Sequence, residues 1–251
     1  MTDPLPHWAW PVVLGGLGLM FGSFIATLVR RWPEGRTAMR GRSECESCRK
    51  SLHAHELVPL MSYALQRGRC RACGAPIHAS HAAIEGGAML VGAAAGFVMP
   101  GWEGLSGALF GWLLLTLAAL DLAAFWLPNV LTGLLALTGL IDGVFFLPGW
   151  IDRLAGGLIG FGLLWLTAFT YRRIRGRDGM GGGDPKMFAG IGLWLGATML
   201  APVLFAASVI GIGVALALRI AGREMGMTSR LPLGTLLALA AFPAWLYQAA
   251  L

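Results

Sequence analysis

Apolar residues in this chain come in long unbroken runs, with polar residues crowded between them. The runs lack the period-two alternation of a half-buried strand, so they predict helices. Trp8 to Val29 is the clearest, followed by Ala82 to Met99, Leu105 to Leu120, Leu127 to Leu147, Leu154 to Tyr171, Met187 to Leu218 and Leu231 to Ala249. A helix needs roughly 20 apolar residues to cross a hydrocarbon core about 30 Å thick, and most of these runs come close to that length. Their Gly and Ala content allows close helix–helix approach in lipid. Met187 to Leu218 holds 32 residues (218 − 187 + 1), about 48 Å as one straight helix at 1.5 Å per residue. That exceeds the bilayer core, so the run is expected to split near Pro202 into two short spans. The pattern predicts an all-α polytopic membrane protein of about eight transmembrane helices, lying in a lipid bilayer.

Composition agrees. The chain is 56% apolar and 13% charged, against about a quarter charged in ordinary soluble domains. A net charge of +6 would suggest nucleic acid in a soluble protein. Here ten of the 19 Lys and Arg lie between Arg30 and Arg71, five between Arg172 and Lys186, and three at Arg219, Arg223 and Arg230, leaving only Arg153. Such clustering is a topology signal and not a nucleic-acid footprint. With the three clusters in the cytoplasm and an even number of spans between them, both termini lie outside. No cleavable signal peptide is evident, because Met1-Thr2-Asp3 lacks a basic n-region. Trp102, Trp126 and Trp150 fall at expected span ends, as interfacial tryptophans do.

Three segments follow: residues 1–29 as the first transmembrane helix, 30–80 as a cytoplasmic insert, and 81–251 as the transmembrane core. The insert carries all four cysteines, in Cys45-Glu-Ser-Cys48 and Cys70-Arg-Ala-Cys73, separated by 21 residues. Four thiolates at this spacing match a closed structural zinc site. Disulfides are the alternative, and a reducing cytosol argues against them. An insert of this size has little core of its own, so a metal staple has a physical purpose. The nearby His53, His55, His78 and His81 read as polar surface residues, because four sulfurs already complete the site.

Two acids stand out. Asp121 ends the third span in Ala119-Leu120-Asp121-Leu122, and Asp184 follows Gly181-Gly182-Gly183. An ionisable group in or beside a span is costly and calls for a partner or a task. The charge-derived topology puts both on the cytoplasmic side, where they can meet. Two carboxylates sharing one proton support general acid–base hydrolysis of a peptide bond. Each has a plainer reading: Asp184 as a helix cap, Asp121 as a helix-end carboxylate reaching water. Gly181 and Gly183 give backbone room beside the carboxylate. Lys186 is a candidate for tuning the pair or binding substrate, or an ordinary cytoplasmic lysine, and Glu85 for lining the site or pairing with a loop arginine. Asp142 falls toward the outer end of the fourth span.

Taken together, these residues resemble the type IV prepilin peptidase family, the bifunctional leader peptidases of pilus and type II secretion systems. The resemblance runs from Gly22-Ser23-Phe24 and Arg31-Trp32-Pro33, through the tetracysteine insert with Val58-Pro59-Leu60-Met61-Ser62-Tyr63 and Arg67-Gly68-Arg69-Cys70, to Glu85. It continues in Asp121 with Leu127-Pro128-Asn129 and in Gly179-Met180-Gly181-Gly182-Gly183-Asp184-Pro185-Lys186, similar to the family's GMGxGDxK motif. It implies that Asp121 and Asp184 are catalytic aspartates of a GxGD-type protease. The implied substrates are prepilins and pseudopilins, whose short basic leader is cut off on the cytoplasmic side after glycine. It further implies N-methylation of the new N-terminus with S-adenosylmethionine, a location in the bacterial inner membrane, and no nucleic-acid partner. No residues for the methyl donor emerge from the motifs, and the oligomeric state stays open. The chain departs from the family at Asn129, where aspartate is usual, and at Pro232-Leu233-Gly234-Thr235, which replaces a PFGP-like element. A protease cutting within membrane spans, a proton-coupled transporter and a non-catalytic scaffold are the competing readings. The insert, the absence of visible repeats and the paired acids count against them in turn.

Overall fold

The computed structural model describes residues 5–38, 43–222 and 231–251. Arg223 and Arg230 of the third basic cluster therefore lie outside the described residues, as do Arg40 and Arg42 of the first. The helices are α1 (Ala9–Arg31), α2 (Met61–Leu65), α3 (Ser80–Val98), α4 (Trp102–Ala124), α5 (Asn129–Asp142), α6 (Trp150–Arg175), α7 (Asp184–Leu195), α8 (Leu200–Ile220) and α9 (Leu233–Ala249). The fold is all-helical, as the apolar runs predict. Among the described residues five helices, α1, α3, α4, α6 and α8, are long and apolar enough to cross a membrane. Helices α5, α7 and α9, with 14, 12 and 17 residues, are shorter. At 1.5 Å per residue α7 reaches only about 18 Å, so the count of eight crossings rests on three helices that do not match the bilayer individually.

The long run after Met187 does break near Pro202, with the interruption between Leu195 and Leu200. Helix α7 ends at Leu195 and the chain turns at Gly196, whose φ of +77° is open to glycine and strained for other residues. The Asp152 carboxylate accepts the Ala197 N–H at 3.3 Å, taking up a donor freed by the turn. Pro202 sits in the first turn of α8, where its missing N–H costs no helical bond.

The chain divides into two compact units, up to Leu115 and from Thr116. In the first, α1 and α3 meet backbone to backbone. A Cβ on Gly18 would strike the Ala88 carbonyl, one on Gly92 the Leu14 carbonyl, and one on Gly22 would lie 2.7 Å from Glu85 Cα. With no side chain between them the backbones make the dispersion contacts that hold helices together in lipid. The Trp112 indole N–H, from the part of α4 in this unit, donates to the Ala88 carbonyl at 2.9 Å.

In the second unit α7 is the hub: ten of its twelve residues are buried. Gly156 and Gly192 let α6 and α7 touch at the backbone, and Gly157 would place a Cβ 2.7 Å from Leu193 Cδ2. Trp194 Nε1 donates to the Leu135 carbonyl of α5 at 2.9 Å. Arg153 of α6 is 1% exposed and pairs with Asp142 Oδ2 at 2.6 Å. Its guanidinium also donates to the carbonyls of Gly139, Leu147, Pro148 and Leu193. A buried charge is tolerated only when so fully partnered. Asp142, placed by the sequence only toward the outer end of a span, is thus half of an ion pair whose other half is the one basic residue outside the three clusters.

Candidate functional site

Asp121 and Asp184 both lie in the second unit, one near the end of α4 and the other opening α7. Each is 5% exposed, and they stand close enough for each to feel the other's charge. Local sequence explains both positions. Phe125, at φ +48°, ends α4 just past Asp121, and Pro128 in an extended conformation starts α5. Asp184 follows three glycines, and its own N–H donates to the Gly181 carbonyl at 3.3 Å. It occupies the first helical position, and Gly183 is the N-cap, with no side-chain cap bond. The helix-cap reading of Asp184 is therefore not what the geometry displays.

Asp121 is held by the start of α9. Its Oδ2 accepts the Thr235 N–H at 2.8 Å and the Thr235 hydroxyl at 3.3 Å, and the Gly234 N–H also points at the carboxylate. The N-terminal end of a helix presents unsatisfied N–H groups and partial positive charge, a natural seat for an anion. Sequence reasoning flagged Pro232-Leu233-Gly234-Thr235 as a departure of unknown effect and missed Thr235 itself. A threonine three residues past a helix-starting proline was the available signal. Nothing in the sequence said that its target lay more than a hundred positions upstream.

Glycines set the space around the acids. A Cβ on Gly181 would lie 3.0 Å from Asp184 Oδ2, one on Gly234 3.0 Å from Asp121 Oδ2, and one on Gly183 2.6 Å from Leu127 Cβ. A Cβ on Gly234 would also lie 3.0 Å from Leu127 Cδ1, so one aliphatic side chain is wedged between the two glycine-bearing segments. Lys186 Nζ donates to Asn129 Oδ1 at 2.7 Å. The lysine thus ties the start of α7 to that of α5, and the asparagine keeps an acceptor where the resembled family has a carboxylate.

Glu85 belongs to the first unit. Its Oε2 accepts the Leu60 N–H at 2.8 Å, and no loop arginine pairs with it among the described residues. Also in this unit, the cysteines form two matching turns. The Cys45 N–H donates to Lys50 and the Cys70 N–H to Ala75, each at 2.9 Å, and the Arg49 and Gly74 N–H groups return to Cys45 and Cys70 at 2.9 Å. Arg49 and Gly74 both take positive φ, at 59° and 71°, one turn using glycine and the other not. The ligand atoms of Cys45, Cys48, Cys70 and Cys73 all lie within 4.8 Å of one another, and no disulfide joins them. Cys45 Sγ and Cys73 Sγ are 3.9 Å apart, near the roughly 3.8 Å edge of a tetrahedron with metal–sulfur bonds of about 2.3 Å. The Cys73 and Ala72 N–H groups draw the Cys70 thiol down to about 7. Although the Ala75 N–H lowers it, Cys73 is pushed up to about 11 by burial and by its sulfur neighbours. Four thiolates repel one another unless a cation joins them, so the donor set and its spacing fit a metal ion. Of the nearby histidines, His53 and His55 stack face to face at 5.7 Å on the exposed side.

Two family models match the chain: the Bacterial Peptidase A24 N-terminal domain over residues 17–99 and the Type IV leader peptidase family over residues 108–216. The chain is similar to proteins named Prepilin leader peptidase/N-methyltransferase. That from Aeromonas hydrophila is 32% identical over 259 residues, covering 91% of this chain and 88% of the relative. That from Burkholderia pseudomallei (strain K96243) is 35% identical over 254 residues, covering 88% and 80%. That from Neisseria gonorrhoeae is 32% identical, covering 82% and 81%. No solved structure matches it.

Proposed function

Because the chain belongs to the type IV leader peptidase family, we propose that Asp121 and Asp184 are the catalytic pair with which it removes the basic leader of prepilins and pseudopilins. The observation that supports this most directly is the pairing itself: two buried carboxylates from separate helices within electrostatic range. Such a pair holds one proton between its members. Negative charge is best tolerated on Asp121, which faces the first N–H groups of α9. The shared proton accordingly rests on Asp184.

Ionised Asp121 takes a proton from water, which attacks the carbonyl after the leader's last glycine. Asp184 donates a hydrogen bond to that carbonyl oxygen. As the tetrahedral species collapses, the C–N bond breaks and the amine leaves with a proton from the pair. Gly181 and Gly183 keep side chains out of the space beside Asp184. Lys186, bonded to Asn129, positions the helix start and does not touch the acids.

The five basic residues from Arg172 to Lys186 support a cytoplasmic active site in a bacterial inner membrane. Cys45, Cys48, Cys70 and Cys73 hold a structural zinc ion that fixes the two cysteine turns. The same chain methylates the freed amine. S-adenosylmethionine, when bound, supplies an electrophilic methyl group on a sulfonium.

The test is cleavage of a purified prepilin with a basic leader and a Gly-Phe junction by the detergent-solubilised protein. Asp121→Asn and Asp184→Asn should each abolish cleavage and leave the thermal unfolding midpoint near wild type. Full activity in either variant rejects the aspartyl mechanism.

A further inference from the structure

Residues 57–65 of the insert are inside out for a segment bathed in water. Leu57, Val58, Met61 and Leu65 are exposed, Leu65 at 70%, and so is Ala64. Met61 and Leu65, four positions apart in α2, share one face. The neighbouring polar residues turn the other way. Ser62, Tyr63 and Gln66 line a cavity of about 190 Å³, which α1 and α3 also line through Ser23, Thr27 and Glu85. Water favours the opposite arrangement, with apolar side chains against the protein and polar ones outward. An exposed apolar face of this kind calls for a covering.

What lies against this face follows from its depth. Leu60, the residue before α2, donates its N–H to Glu85 Oε2 at 2.8 Å, and it takes a φ of +57° that is strained for a leucine. Glu85 is five positions into α3 (85 − 80), about 7.5 Å from the helix start at 1.5 Å per residue. Beside it on α1 is Gly22, where a Cβ would lie 2.7 Å from Glu85 Cα. Gly22 is nine positions from the end of α1 (31 − 22), about 13.5 Å along the helix. Arg30 and Arg31, in the last turn of α1, mark the level of the headgroups. The glutamate side chain leans back toward the start of α3, but it is shorter than that offset. The start of α2 is thus fastened below the headgroup level, against two helices long and apolar enough to cross a membrane.

We propose that residues 57–65 lie within the bilayer leaflet on the insert's side, with Leu57, Val58, Met61 and Leu65 against lipid acyl chains. An interfacial apolar face sits about 5–10 Å into the boundary between headgroups and acyl chains, in keeping with the depth at which Glu85 holds Leu60. Lys50, Arg67, Arg69 and Arg71 flank the segment in sequence and are exposed. Such residues suit the headgroup layer, above all one with anionic lipids. The insert therefore lies in the membrane surface by this face and does not stand off from it in water. A protein partner would have to displace lipid at that depth to reach it.

The test is photolabelling of the full-length protein in single-copy nanodiscs of phosphatidylethanolamine and phosphatidylglycerol. The probe is a phosphatidylcholine carrying a diazirine on an acyl carbon near its ester. Trypsin cuts after Lys50 and Arg67, so a single peptide, residues 51–67, holds the whole face. Lipid adducts should map to residues 57–65 of that peptide, at a yield within about threefold of that on the exposed Met20 of α1. A yield no higher than on residues 46–49, exposed beside the first cysteine pair, overturns the proposal. Loss of the adducts under excess prepilin gives the face to the substrate. Loss in liposomes crowded with the protein, against labelling in single-copy discs, gives it to a second copy. Either of these outcomes also overturns the proposal.

Discussion

Replacing Thr235 by valine removes one hydroxyl and leaves the main chain as it was. Asp121 Oδ2 keeps the Thr235 N–H at 2.8 Å and loses the Oγ1 donor at 3.3 Å. The same hydroxyl lies 3.0 Å from the Ala118 carbonyl, and its single proton serves one acceptor at a time. A hydrogen bond to a charged group contributes about 1.5–3 kcal/mol. The longer, shared bond here falls below that, at about 1 kcal/mol. If this bond aims the carboxylate at the attacking water, its loss raises the barrier by that amount, about a fivefold drop in kcat. KM should stay near wild type, and Thr235→Ser should restore the rate. The assay is steady-state cleavage of a fluorogenic prepilin peptide, with Asp121→Asn as the floor. A variant indistinguishable from wild type would show that the N–H alone fixes Asp121. A loss as deep as the floor would mean that the hydroxyl takes part in the chemistry, and the positioning argument would be wrong.

Metal analysis of a Cys45→Ser/Cys70→Ser protein should find no bound zinc, against about one equivalent in wild type; equal zinc in both would reject the tetracysteine site. Asp142→Asn strips a buried guanidinium of its counter-ion, at a cost of about 3–5 kcal/mol. It should unfold at a much lower temperature than an Asp142→Leu/Arg153→Met double variant, and the reverse order would refute the account of that pair.

The apolar runs were legible because bilayer thickness imposes a length on every crossing helix, and the tetracysteine spacing because metal chemistry imposes one on its ligands. Helix ends were read less well. Pro202 marked the neighbourhood of the break, yet proline is compatible with a first helical turn, and the turn itself uses the positive φ of Gly196. The eight-span count rested on apolar length and on an even number of spans between basic clusters, and α5, α7 and α9 are shorter than the runs that contain them. Asp121 and Asp184 could be singled out because charge is conspicuous in an oily chain. Thr235, Leu127 and Gly234 could not, because their importance lies in what they touch. Glu85 could be singled out as an acid near a span end, but its contacts with Leu60 and the wall of the first unit's cavity could not be read from the sequence.

Arg153 carries a consequence for how the protein is made. Four of its five acceptor residues, Gly139, Asp142, Leu147 and Pro148, precede it by at most 14 positions. Only Leu193, 40 positions later, belongs to a helix not yet synthesised when α6 leaves the ribosome. The guanidinium is thus neutralised and almost fully hydrogen-bonded as soon as α5 and α6 fold into a hairpin. The two helices are therefore expected to carry this charge into the bilayer already paired, with a single donor left for α7.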